Sequence, residues 1–253
     1  MKTNLVRKSK LALCLFSSVF ITTSSQAEWK GNWLVGASGG IHRHVGDYAI
    51  NQAYHTPIFP LSLFPTAIKQ NARHIGLAWE LLGGYQIHCE GWLFGAEVAA
   101  FGDETKRASE FPFSDIFRFL SFDATQRYQR DPGLSLSGRF GYAMSPYFLA
   151  YLRLGGETNR EKLITTIAGQ PTFPFSATAT VAEQVYRAFV GFGAEFPAFC
   201  NRLNFRIEYN AYWPTHDLET NITIADGILN PTFISDTHPK LHTLKGSIVW
   251  NIQ

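Results

Sequence analysis

Leu203-Asn204-Phe205-Arg206-Ile207-Glu208-Tyr209-Asn210-Ala211-Tyr212-Trp213 alternates without a break. Leu203, Phe205, Ile207, Tyr209, Ala211 and Trp213 make one face; Asn204, Arg206, Glu208, Asn210 and Tyr212 make the other. Side chains that repeat every second residue belong to a β-strand. In a water-soluble protein the apolar face needs a second layer, and no helical periodicity in this chain supplies one. The same pattern returns about eight times along the chain. A sheet apolar outside and charged inside suits lipid, where a barrel must satisfy every backbone N–H and C=O within itself. The expected fold class is all-β: a single up-and-down antiparallel transmembrane β-barrel of eight strands, with long extracellular loops and short periplasmic turns.

The N-terminal residues set the compartment. Lys2, Arg7, Lys8 and Lys10 are followed by an apolar stretch from Leu11 to Ile21, then by Ser25-Gln26-Ala27. This order reads as a signal peptide over residues 1–27, cut before Glu28, leaving 28–253 as the barrel domain. The stretch is too short for a membrane helix. A lipoprotein reading of Cys14 is disfavoured by the large Leu13 before it. Removing residues 1–27 takes four of the 22 basic residues and none of the 20 acidic ones, so the remainder is 18 against 20, a net charge of −2. No basic patch argues for nucleic acid.

Alternation and turn residues place the strands at about 32–42, 74–88, 92–101, 133–145, 147–157, 184–196, 203–213 and 242 to the end. The connections alternate in length: Cys89-Glu90-Gly91, Pro146 and Pro197–Arg202 are short, whereas the intervening ones are long and rich in Pro, Phe, Asn and Thr. Short turns at one end and long loops at the other are the signature of bacterial barrels, with both chain ends periplasmic. Trp33, Trp92, Tyr142, Phe148, Phe196 and Trp250 fall at one end of their strands and Tyr186 and Trp213 at the other, giving two aromatic girdles. The inward positions hold Glu80, Glu97, Glu157, Glu195 and Glu208 with Arg139, Arg153, Arg187, Arg206 and Lys245. A buried charge is tolerated only when paired, so this interior charge network reads as an ion-paired plug filling a narrow lumen.

Phe189-Val190-Gly191-Phe192-Gly193-Ala194-Glu195-Phe196, followed by Arg206-Ile207-Glu208-Tyr209, resembles the penultimate hairpin of small outer-membrane barrels: the outer membrane protein A transmembrane domain, its X-type relatives and the virulence-associated surface barrels. The resemblance implies eight strands, a plugged interior and roles in envelope integrity, adhesion or host contact. Two departures stand out: no peptidoglycan-binding domain follows the last strand, and the chain ends Trp250-Asn251-Ile252-Gln253 without the usual terminal aromatic residue.

Signals for catalysis are thin beside this reading. Lipid A deacylases resemble one another in a His-x-Ser-Asn run, absent from this sequence. Ser135, Ser137 and Ser145 are expected inward without a neighbouring His. Asp103, His216 and Asp217 can be placed at the outer mouth, as in the omptin-type surface proteases, although those barrels have more strands. His42 and His44 share a strand face as a weak metal pair, and His88-Cys89 is equally thin. No catalytic, metal or cofactor site is assigned. Ile58, Phe59, Leu61, Phe64, Phe111, Phe113, Phe173 and Phe175 set Pro beside large apolar residues in three external loops, which either cap the barrel or form an interaction surface. Cys89 and Cys200 both fall in periplasmic turns of an oxidising compartment, yet on opposite sides of the barrel, so a disulfide between them and free thiols both stay open. The expected function is a non-enzymatic outer-membrane barrel serving surface interaction or envelope structure. The alternatives are a narrow channel or lipid-binding barrel, then a lipid A-modifying or surface-protease enzyme. Expected partners are outer-membrane lipid and lipopolysaccharide, and a host or envelope protein through the loops, with the barrel a monomer.

Overall fold

The computed structural model describes residues 29–55, 66–104, 108–114, 121–169, 176–198, 202–213, 218–223 and 230–252. They form β1 (Lys30–His55), β2 (Thr66–Cys89), β3 (Trp92–Asp103), β4 (Ala108–Ser114), β5 (Ser121–Arg130), β6 (Gly133–Ser145), β7 (Phe148–Gly169), β8 (Ser176–Pro197), β9 (Leu203–Tyr212), β10 (Leu218–Thr223) and β11 (Asn230–Ile252). Eight of these pair antiparallel in a closed ring, β1-β2-β3-β6-β7-β8-β9-β11 and back to β1. Trp33 pairs with Tyr85 on one side and Ile252 on the other, so the first and last strands lie side by side. Closure leaves no unpaired strand edge in the ring, which is what makes such a sheet tenable in hydrocarbon.

Local sequence makes the turns. Glu90-Gly91 joins β2 to β3 with φ of 49° and 86°, the left-handed pair that a two-residue type I′ hairpin needs and that Gly supplies without strain. At the β6–β7 turn the pairing slips between Ala143 and Ser145. Ser145 is therefore exposed at the rim and not inward, as strict alternation had placed it.

The outward face of the ring is apolar and open: Leu77 is 64% exposed, Leu136 63%, Phe192 60% and Ile207 57%. In water such a continuous patch would be a severe liability. From Ile75 to Tyr85 the strand is about 33 Å long, and a tilt of about 40° projects that to about 25 Å, the height of a barrel's apolar band. Trp33 packs edge-on against Tyr85, and Trp92 stacks on Phe140 and leans on Tyr142, at the lower rim.

The strands run further than alternation in the belt indicated. Residues 43–55, 66–73, 158–169, 176–183 and 230–241 continue strands of the ring, and β4, β5 and β10 are extra. The reason lies in the polarity. On β7 the inward positions change from Arg153 and Glu157 to Leu163 and Ile167, while Arg160, Lys162 and Thr166 take over outside. The period of two persists, but its apolar and polar faces exchange where lipid gives way to water.

Above the belt the described strands no longer close a ring. They form two facing sheets, β4-β5-β7-β8 and β10-β11-β1-β2. Polar side chains clasp them across the interior: Thr165 bonds Thr220 at 2.8 Å and donates to Ser235 at 3.3 Å, and Gln126 also donates to Ser235. Tyr128, Leu163 and Leu218 are buried together there with Val181 against them. This extension is an apolar-centred clamp resting on an ionic barrel.

Candidate functional site in the barrel lumen

Inward residues on seven of the eight ring strands, all but β1, meet with Arg130 of β5 in two charged layers. In the lower layer Glu97 accepts from Arg206 at 2.7 Å and Arg139 at 3.1 Å, with Arg153 at 3.7 Å. Glu195 takes Arg139 and Arg206 at 2.7 Å each and a third bond from Asn204. Arg153 binds Glu208 at 2.6 Å and Glu80 at 3.3 Å, and Lys245 closes the circuit with Glu80 at 2.5 Å and Glu208 at 3.6 Å. Tyr151 donates to Glu208 at 3.0 Å while its ring lies 4.0 Å under the Arg139 guanidinium. The layer holds four carboxylates and four cations, all at most 5% exposed.

In the upper layer Arg130 on β5 reaches Glu157 at 2.5 Å, Asp103 at 2.6 Å and Glu161 at 3.3 Å. Arg187 grips Glu161 through both carboxylate oxygens. All ten inward charges read from the sequence lie in these two layers. Three further members lie beyond the strands that the belt's alternation marks. Asp103, which the sequence places at the outer mouth, is instead paired with Arg130 inside the wall, and Arg130 and Glu161 fall in stretches that belt alternation reads as loop. Alternation from Phe122 to Arg130 and from Glu161 to Ile167 was the available clue, masked by the reversal of polarity.

Packing leaves little free space between the layers. A cavity of about 20 Å³ is lined by Glu80, Glu157, Arg130, Tyr212, Thr243 and Lys245, room for roughly one water. Inward glycines yield their volume to neighbours: a Cβ on Gly193 would lie 2.4 Å from Tyr151 Cζ, and one on Gly155 2.7 Å from Phe189 Cζ. Outward Gly39 has nothing within 4 Å.

His42 and His44 are each 1% exposed and share an inward face above the belt. The His44 ring stacks 4.7 Å from Tyr128 and 6.5 Å from His74. Burial pushes its pKa down to about 3, so it is a neutral packing group. Among the described residues no cluster of three or more His, Cys, Asp or Glu is arranged to hold a metal ion. Ser135 and Ser137 are buried on β6; Ser137 accepts from Arg153 Nε at 2.9 Å. Cys89 is a half-buried free thiol at the end of β2. Phe111 and Phe113 lie on β4, paired with Ala124 and Phe122. Cys200, His216, Asp217, Ile58, Phe59, Leu61, Phe64, Phe173, Phe175 and the 1–27 segment lie outside the described residues.

A closed ring, an apolar exterior of bilayer height and a charged, self-paired interior occur together in one setting. The chain is a transmembrane β-barrel. Among solved structures it is similar to Neisserial surface protein A, at 9% identity over 82% of this chain and 96% of that one, with a TM-score of 0.35. The attachment invasion locus protein of Yersinia pestis matches at 10% identity over 81% and 98%, with a TM-score of 0.27. The outer membrane protease OmpT from Escherichia coli matches at 11% identity over 87% and 97%, with a TM-score of 0.39. No family model matches the chain, and no curated protein does.

Proposed function

We propose that this protein is a non-enzymatic outer-membrane barrel whose sealed lumen and raised wall present external segments for contact with other surfaces. The N-terminal 27 residues act as its secretion signal, both ends of the mature chain face the periplasm, and the barrel works as a monomer without a cofactor. The observation that carries this reading is the lumen. Its carboxylates and guanidiniums are consumed in mutual ion pairs, and the apolar clamp sits directly above them. A chain built to conduct would keep a wetted path, and one built to catalyse would keep a titratable group open to substrate.

The wall supports the presentation role. From Ile41 to His55 β1 is about 46 Å long, and with a tilt of about 40° it rises about 35 Å beyond the belt. The upper ends of β1 and β2 are thereby carried clear of the leaflet. Planar-bilayer recording tests the sealed lumen: the purified protein gives no discrete conductance steps, and regular steps would refute the plug. Binding of intact cells to host or envelope proteins, with and without residues 56–65, tests presentation. Undiminished binding by the deletion and by matching deletions at 115–120, 170–175 and 224–229 would refute it.

A further inference from the structure

Directly above the apolar belt, one outward face changes character. Ile41, Ile75, Leu77 and Leu244 are its last apolar residues, and Arg43, Arg73 and Lys240 follow, all exposed. The register fixes their arrangement. Arg43 sits between Ile75 and His242; one row higher, Val45 sits between Arg73 and Lys240. Strands lie about 4.8 Å apart and successive outward residues about 6.7 Å apart, so the three cations stem from a patch about 10 Å across. Side chains of this length can converge on one anion. His242 borders the patch, its Nδ1 bonded to Tyr209 Oη at 2.8 Å.

Three acids border this face along its upper side and one flank. Glu104, just past β3, bonds through its N–H to Leu77 O. Asp47 is the next outward register position above Val45, and Asp236 and Lys69 flank Ala49 above that. Among the residues whose side chains are described, no carboxylate lies within ion-pair distance of Arg43, Arg73 or Lys240. The opposite wall differs: Lys162, next to Arg160, is neutralised by Asp131 at 2.8 Å.

We infer that Arg43, Arg73 and Lys240 form a binding site for the phosphate of a phosphorylated glycolipid in the surrounding leaflet. Its acyl chains lie along Ile41, Ile75, Leu77 and Leu244 while the phosphate enters the cationic patch. This rests on the outer-membrane reading and deepens it by naming where the lipid is held. The apolar rows immediately below the patch favour a tethered lipid phosphate over the free ion, because both halves of such a molecule are matched at once. Guanidinium–phosphate bonds are charge-assisted and directional, so phosphate should count for more than general surface charge.

The test uses the full chain folded into phosphatidylcholine vesicles, with bisphosphorylated lipid A, its dephosphorylated form and inorganic phosphate as probes. The protein should prefer bisphosphorylated over dephosphorylated lipid A by about tenfold or more, and inorganic phosphate alone should bind far more weakly. Arg43→Gln/Arg73→Gln/Lys240→Gln should abolish the preference, whereas Arg127→Gln/Arg160→Gln on the opposite wall should keep it. If the triple variant does not fold, Arg73→Gln and Arg43→Gln each report the same preference, reduced about threefold to fivefold. Equal binding of the two lipid A forms, equal loss in the opposite-wall variant, or inorganic phosphate binding as tightly as lipid A would each overturn the site. Failure of the unmutated protein to enter any bilayer would overturn the membrane reading, and the site with it.

Discussion

Replacing Arg206 by Met is the sharpest test of the lumen. The arginine is 2% exposed and gives 2.7 Å bonds to both Glu97 and Glu195. Met fills much of its volume and removes both bonds, leaving four carboxylates against three cations in the lower layer. Each charge-assisted bond is worth about 1.5–3 kcal/mol net, while Met returns about 1.5–3 kcal/mol of apolar burial. The two bonds together outweigh that return by about 1.5–3 kcal/mol, and the carboxylate left short of a partner brings the loss to about 3–5 kcal/mol. Arg139 still reaches both Glu97 and Glu195, which argues for the lower end. For a chain of this size that is about 6–12 °C in unfolding temperature, at about 2–4 °C per kcal/mol. The assay is heat-induced loss of the folded band in detergent, or urea unfolding in vesicles. Arg127→Met, exposed on β5, should shift it by less than about 2 °C. The double variant Arg206→Met/Glu195→Gln restores three against three and should recover at least half of the loss. If Arg206→Met behaves like Arg127→Met, or the double variant is no better than the single one, the lumen is wet and the ionic plug is wrong.

Three further outcomes follow from the same geometry. His44, outside the belt, stays neutral when folded because burial holds its pKa at about 3, whereas the unfolded chain protonates near 6.5. Stability is therefore complete above that value and falls as pH drops, by about 1.4 kcal/mol per unit; His44→Phe should flatten urea-unfolding stability between about pH 6.5 and pH 4.5, and an unchanged slope would count against the buried neutral ring. Phe192 is 60% exposed on the belt, so Phe192→Arg should lower folding stability in vesicles by about 2–4 kcal/mol, and normal assembly would mean that the facing of β8 is reversed. Gly193→Val must displace Tyr151, whose ring is held under Arg139, and should cost about 1–3 kcal/mol by overpacking; Gly39→Val, facing open space, should be nearly silent, and equal effects would show that the lumen has room.

The ring was legible in the sequence because two constraints act on the same residues. In the belt, lipid demands an apolar outside and the narrow interior demands paired charge, so Arg206 and Ile207 cannot exchange faces. That is why the inward set from Glu80 to Lys245 could be read by parity alone. Above the belt, water on the outside and apolar packing inside reverse the sign of the pattern while keeping its period. A reader tuned to the belt's polarity sees Arg160, Lys162 and Thr166 as loop, although Leu163 and Ile167 alternate with them just as regularly. Arg130, Asp103 and Glu161 were lost at that boundary, where neither polarity dominates and a strand looks least like itself. Pairing between distant strands is also invisible to local periodicity. Nothing in the residues around Gln126, Thr165, Thr220 or Ser235 announces that they meet across a clamp. The same boundary supplies the lipid-site inference: the row where Ile41 and Ile75 give way to Arg43 and Arg73 marks where the hydrocarbon ends, and it is there that phosphates of the leaflet would lie.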